Sequence, residues 1–181
     1  MKGIYVKTIL YAYPNIKAVS EQIDELVEKK ALASMMDFSP CEVQCEKIID
    51  LTVQKIKLTE MEKLLKTILI SFSEHELDCL DYKYFKKKPK EYYEEFDFSS
   101  RAYFRKQNAL IKKLGLKLEK KGIDDKEFER NYLYINFIKE LLKRVIEQEK
   151  LSIKNKPKSQ KMKKDCATKL NEITFSEEKT A

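Results

Sequence analysis

Three glycines in 181 residues, Gly3, Gly115 and Gly122, leave this chain few places to turn a β-hairpin. Sheet proteins need Gly, Asn and Asp at their tight turns, so the shortage predicts helices nearly throughout. With 43% hydrophobic residues the chain can still bury a substantial core. The expected fold class is all-α.

The apolar spacing agrees. Residues 2 to 13 suit a short helix, and Pro14 suits the first position of the next. Ile16, Val19, Ile23, Leu26 and Val27 recur at helical intervals, with Glu21, Asp24, Glu25 and Glu28 opposite, to about Met36. Ser39, Pro40 and Glu42 read as the start of another helix. Its apolar period, from Val43 through Ile56 and Leu65 to Leu69, runs almost unbroken to Ser71. A helix that long must lie against something, which predicts an antiparallel pair of long N-terminal helices over 1–71.

A second capping sequence, Ser73 to Glu76, opens a helix with Leu77, Leu80 and Tyr84 on one face. Pro89 starts a short helix holding Tyr92, Tyr93 and Phe96, Asp97 and Phe98 make a turn, and Ser99 caps the next helix. In that helix Tyr103, Phe104, Leu110, Ile111, Leu114 and Leu118 form the buried stripe, and Gly122 closes it. The unit 72–122 reads as a helix-turn-helix. Asp124 caps a last helix over 125–149, whose 3.5-residue repeat of Phe128, Tyr132, Ile135, Ile138, Leu142 and Val145 suits packing on the domain or pairing as a homodimer. Residues 150–181 read as a disordered basic tail.

The excess of 37 Lys and Arg over 30 Asp and Glu is not spread evenly. Between Ser99 and Gly122 stand eight basic residues and one acid, Glu119; from Lys150 to Lys169 stand eight lysines and Asp165. Arg101, Arg105, Asn108 and Lys112 share one side of the helix after Ser99. Groove edges of guanine are acceptors and phosphates are anionic, so a helix that enters DNA needs donors on its exposed face. Arg101 and Arg105 suit base edges. Ser99, Ser100 and the first-turn N–H groups suit a phosphate, and Lys106, Lys112, Lys113, Lys86, Lys87 and Lys88 suit the backbone. Solubilising charge is the plainer reading of the same residues. Glu91, Glu94, Glu95 and Asp97 must face away from phosphates or pair with the lysines.

The stretch FDFSSRAYFRKQNALIKKL resembles the S-x-R-T-Y-Y-R pattern of RinA/ArpU-like transcriptional regulators of phages and mobile elements, which are similar to the region-four DNA-binding domain of sigma factors. Ser99, Arg101, Tyr103, Phe104 and Arg105 carry the match, and FSEHELDCLDYKYF looks like the helix before the motif. Asp97 stands where that family usually has a small residue, and Ala102 where it has Thr. The resemblance implies a helix-turn-helix in which Ser100, Arg101 and Arg105 approach double-stranded DNA, with RNA polymerase as a further partner.

The expected function is therefore sequence-selective transcriptional regulation. A helical adaptor, or a packaging or replication accessory of a mobile element, is the alternative. Cys41 and Cys45, with His75 and Cys79, are spaced to offer zinc two ligands from each of two helix faces, although small thiols also pack well in helical cores. His75 is the only histidine and no glycine-rich phosphate loop is present, so neither catalysis nor a cofactor is expected. The opening residues lack a signal-peptide pattern and no apolar run suits a bilayer. A cytoplasmic protein is the expectation.

Overall fold

The computed structural model describes residues 1–33, 41–86 and 100–154, and every regular element among them is helical. The core is organised around its first helix. In α1, Gly3–Ala12, Val6, Ile9, Leu10 and Ala12 have no exposed surface, and Tyr5 and Thr8 are buried beside them. A hydroxyl in that setting needs a partner, and Thr8 Oγ1 donates to the Ile4 carbonyl at 2.9 Å. Pro14 lies inside a 3-10 turn, Tyr13–Asn15, through which α1 runs directly into α2, Ile16–Ala33.

The helix α3, Cys41–Leu69, packs along α2 as the expected pair. Lys55 on α3 reaches both carboxylate oxygens of Asp24 on α2, at 2.6 and 2.7 Å. Only the two ends near α1 enter the core. Ile16 and Ile23 are the buried residues of α2, while those of α3 begin at Leu58. The rest of the hairpin buries little.

After Phe72 the chain turns into α4, Glu74–Leu80, and the predicted cap is present: the Ser73 N–H donates to Glu76 Oε2 at 3.0 Å. A π-helical turn, Asp81–Phe85, extends α4 and ends at Lys86, whose φ of 50° is left-handed. Next comes α5, Ser100–Lys120, closed by Gly122 at φ 88° while the Ile123 N–H reaches back to the Leu118 carbonyl at 3.0 Å. The short helix and turn expected over 89–98, Asp97 among them, lie outside the described residues.

The single helix expected over 125–149 is instead two. α6, Asp125–Tyr132, is capped by Asp124, whose Oδ1 accepts the Glu127 N–H at 2.7 Å, and α7, Asn136–Lys154, follows a break at 133–135. The break turns Phe128 and Tyr132 on one side and Ile135 and Ile138 on the other into the same core. Phe128 stacks on Tyr5 of α1 at 4.8 Å, and the Tyr5 hydroxyl donates to Glu129. Ile138 and Val145 are buried in the chain's own fold, at 0% and 3% exposure, so the repeat packs on the domain at these positions, which leaves the homodimer expected through 125–149 without support.

Met1–Val145 form one contact unit, so the expected domain edges at 71/72 and 122/123 fall inside it. The second unit is Ile146–Ala181. Its described part is the end of α7, helical through Lys154 rather than ending at 149. Residues 155–181, most of the expected tail, lie outside the described residues.

Candidate nucleic-acid interface

The candidate interface is one side of α5, and its geometry is set by how the other side is held. Leu110, Ile111, Leu114 and Leu118 are buried at spacings of one, three and four residues. Each such side chain contributes about 1.5–3 kcal/mol of transfer free energy as an upper bound. Gly115 lies on the same side, against α1: a Cβ there would stand 3.3 Å from Val6 Cγ2. Glycine lets α5 lie this close to α1.

A polar residue completes the buried stripe. Gln107 is 1% exposed, and its amide nitrogen donates to the Cys79 carbonyl in the last turn of α4 and to the Tyr103 hydroxyl at 3.2 Å. Its Oε1 has no partner. The bond to Cys79 joins α5 to α4 where the α-helix gives way to the π-helical turn. Burial, the largest cause, together with nearby Tyr82, pushes the Tyr103 phenol up to about 12. It remains neutral at neutral pH. The sequence offered one sign of this role, since Tyr103, Gln107, Leu110 and Leu114 are spaced four, three and four apart.

On the opposite side Arg101, Arg105, Asn108 and Lys112 are all exposed and fall within about a quarter-turn of one another at 3.6 residues per turn. The expected donor face is therefore present as a surface. Two large apolar groups flank it, Phe104 at 57% exposure and Leu116 at 60%. Phe104, expected in the buried stripe, packs edge-on against Tyr103 at 5.7 Å but is exposed, although Ile111 and Leu118, seven and fourteen residues on along the same side of the helix, are buried.

Two of the lysines expected along the phosphates, Lys113 and Lys106, have partners within the chain, as does Lys117 beside them. Lys113 Nζ lies 2.7 Å from both Glu76 oxygens and 4.6 Å above the buried Phe72 ring. Lys117 Nζ donates to Ser71 Oγ at 2.7 Å and lies 5.6 Å above the same ring. These two cations tie α5 to the start of α4. The Glu76 carboxyl is held below its ordinary pKa, first by Lys113 and also by the Ser73 N–H. Lys106 is half-buried and hydrogen-bonds toward the Cys79 thiol, whereas Lys86 is exposed just beyond the π-helical turn. Lys87, Lys88 and Ser99 lie outside the described residues; Ser100 is the first residue of α5.

The four-ligand zinc arrangement is not assembled. Cys41 and Cys45 are exposed near the far end of the hairpin with Sγ atoms 3.9 Å apart, Cys79 is 2% exposed in the core, and His75 is exposed on α4. No group of three potential ligands occurs among the described residues. No helix among them is long and apolar enough to cross a membrane.

Comparison with protein-family models, with curated proteins and with solved structures finds no match to this chain.

Proposed function

We propose that this protein is a sequence-selective regulator of transcription that binds double-stranded DNA by laying α5 in the major groove. The observation that carries the reading is the sidedness of that helix. Arg101, Arg105, Asn108 and Lys112 occupy the exposed face, while Gln107, Leu110, Leu114 and Leu118 fix the opposite face to the core.

The chemistry suits base readout. An arginine can donate two bonds to guanine O6 and N7, and an asparagine can bond adenine N6 and N7 in the same bidentate way. Phe104 and Leu116 offer apolar contact to thymine methyl groups. Lys112 and Lys86 serve phosphates and set the register. Lys113 and Lys117 act one step back, holding α5 against α4 rather than touching DNA. A contact with RNA polymerase rests on the resemblance to sigma region four.

The test is selection of bound duplexes from a random pool by the full chain. The reading predicts a recovered motif containing guanine at the positions that Arg101 and Arg105 reach, and a changed motif for Asn108→Ala. A pool that returns without enrichment contradicts sequence-selective binding and favours a helical adaptor.

A further inference from the structure

The outer half of the α2–α3 hairpin carries an apolar stripe that the fold does not use. Ile49, Val53 and Ile56 are 59%, 40% and 49% exposed. Their spacing of four and three residues sets them on one face of α3. That face is turned away from α2, because Lys55, which reaches Asp24, marks the side facing the neighbour. Three β-branched side chains in a row on a solvent face are an unusual arrangement for a monomer.

Charge narrows what can cover them. Along α3 the residues 42–50 hold Glu42, Glu46 and Asp50 against Lys47, and in 55–63, with Lys55 turned to α2, the outward side holds Lys57 and Lys63 against Glu60, which Lys57 approaches at 3.3 Å. One half of the helix is net negative and the other net positive. The adjoining α2 has Glu21, Asp24, Glu25 and Glu28 against Lys17, Lys29 and Lys30. This hairpin does not attract a polyanion, although the whole chain is basic. It is complementary to itself, provided that the second copy runs the opposite way.

We propose that the exposed face of α3 is a homodimer contact, in which a second copy of this chain packs antiparallel about a two-fold axis between Thr52 and Val53. Ile49 of each copy then covers Ile56 of the other, as an isologous interface requires. Lys57 of one copy falls between the levels of Glu46 and Asp50 of the other, and Lys63 falls level with Glu42. A parallel pairing would instead set acid on acid. A single helix-on-helix contact of this length covers roughly half of the ~800 Å² per partner found in stable complexes, so the dimer is weak, with a dissociation constant of roughly 10–100 µM. Two copies joined this way carry two α5 helices related by the same axis. The contact does not depend on DNA binding and is tested without DNA.

The experiment is sedimentation equilibrium of the full chain from about 1 to 300 µM, beside an Ile49→Glu/Ile56→Glu variant whose helicity and melting are checked against the parent. Both positions are exposed, so the variant is expected to fold. The parent is expected to pass from monomer to dimer over that range and the variant to stay monomeric. A parent that is monomeric throughout, or a variant that associates equally well, overturns the proposal. Carbodiimide cross-linking of mixed isotopically light and heavy chains reads the orientation. Links between copies from Glu42 to Lys63 or from Glu46 to Lys57 are expected, and a dimer without them overturns the antiparallel arrangement.

Discussion

Replacing Gln107 with glutamate tests how α5 is held, because it keeps the side-chain shape and changes only what the terminal group can donate. The amide nitrogen serves the Cys79 carbonyl and the Tyr103 hydroxyl from a site that is 1% exposed. A neutral carboxyl can keep the bond to the Cys79 carbonyl through its one O–H, with the Tyr103 hydroxyl free to donate to its other oxygen. An ionised carboxylate cannot, and it would place its charge against the carbonyl oxygen. Burial of this degree raises a carboxyl pKa by several units. A rise from about 4.3 to about 7 corresponds to roughly 3–4 kcal/mol at 1.36 kcal/mol per unit.

Linkage sets the sign. The folded pKa lies above the unfolded one, so the variant's deficit is small below about pH 4.5, grows as pH rises towards 7, and is level above that. Neighbouring groups do not blur this window. Tyr103 is pushed up to about 12 and Cys79 is raised by burial, so both stay neutral across it. Urea unfolding followed by circular dichroism at pH 4.5 and pH 7.5, with the parent measured alongside, gives the difference directly. A deficit equal at the two pH values would refute the reasoning, since it would mean that residue 107 is hydrated or that its donor role is dispensable.

Other consequences concern the same helix. Gly115→Val should cost about 1–3 kcal/mol, seen as a fall in melting temperature, because even a Cβ stands 3.3 Å from Val6 Cγ2 and Val6 has no exposed surface into which to move. Lys113→Met should cost no more than about 1 kcal/mol at pH 7, since the pair with Glu76 is partly exposed. The Glu76 pKa is depressed, so this stabilisation is present above the ordinary carboxylate range and is lost as pH falls through the folded value. The parent and Lys113→Met should therefore converge in stability toward pH 3. On DNA, Lys113→Met should weaken binding less than Lys112→Ala in the same anisotropy titration.

The sequence was most readable where spacing and chemistry coincided. The helical class, the long hairpin, the Ser73 cap, the Gly122 terminus and the Arg101–Arg105–Asn108–Lys112 side all arise from local rules that act within a few residues. The failures came from packing between distant segments. Nothing local says that α1 is the centre of the core; its burial depends on α5 and α6 closing over it from more than ninety residues away. Phe104 continues the side of α5 that holds the buried Ile111 and Leu118, and nothing in its own spacing says that this side is exposed at the start of the helix. Counting charge could not separate Lys112, which is exposed, from Lys113, because Glu76 lies thirty-seven positions earlier and becomes a neighbour only through the α4–α5 contact. The 3.5-residue repeat over 128–145 coincides with burial in this chain at Phe128, Tyr132, Ile135, Ile138 and Val145.

The central claim is that the exposed side of α5 reads DNA, and a salt titration on the selected duplex tests it most directly. The logarithm of the parent's affinity should fall linearly with the logarithm of salt concentration, with a slope of about −0.9 per phosphate contact. Arg101→Ala and Arg105→Ala should each lose about 1–3 kcal/mol on the selected duplex and much less on a scrambled one. If both variants bind the two duplexes as the parent does, α5 is not the reading helix.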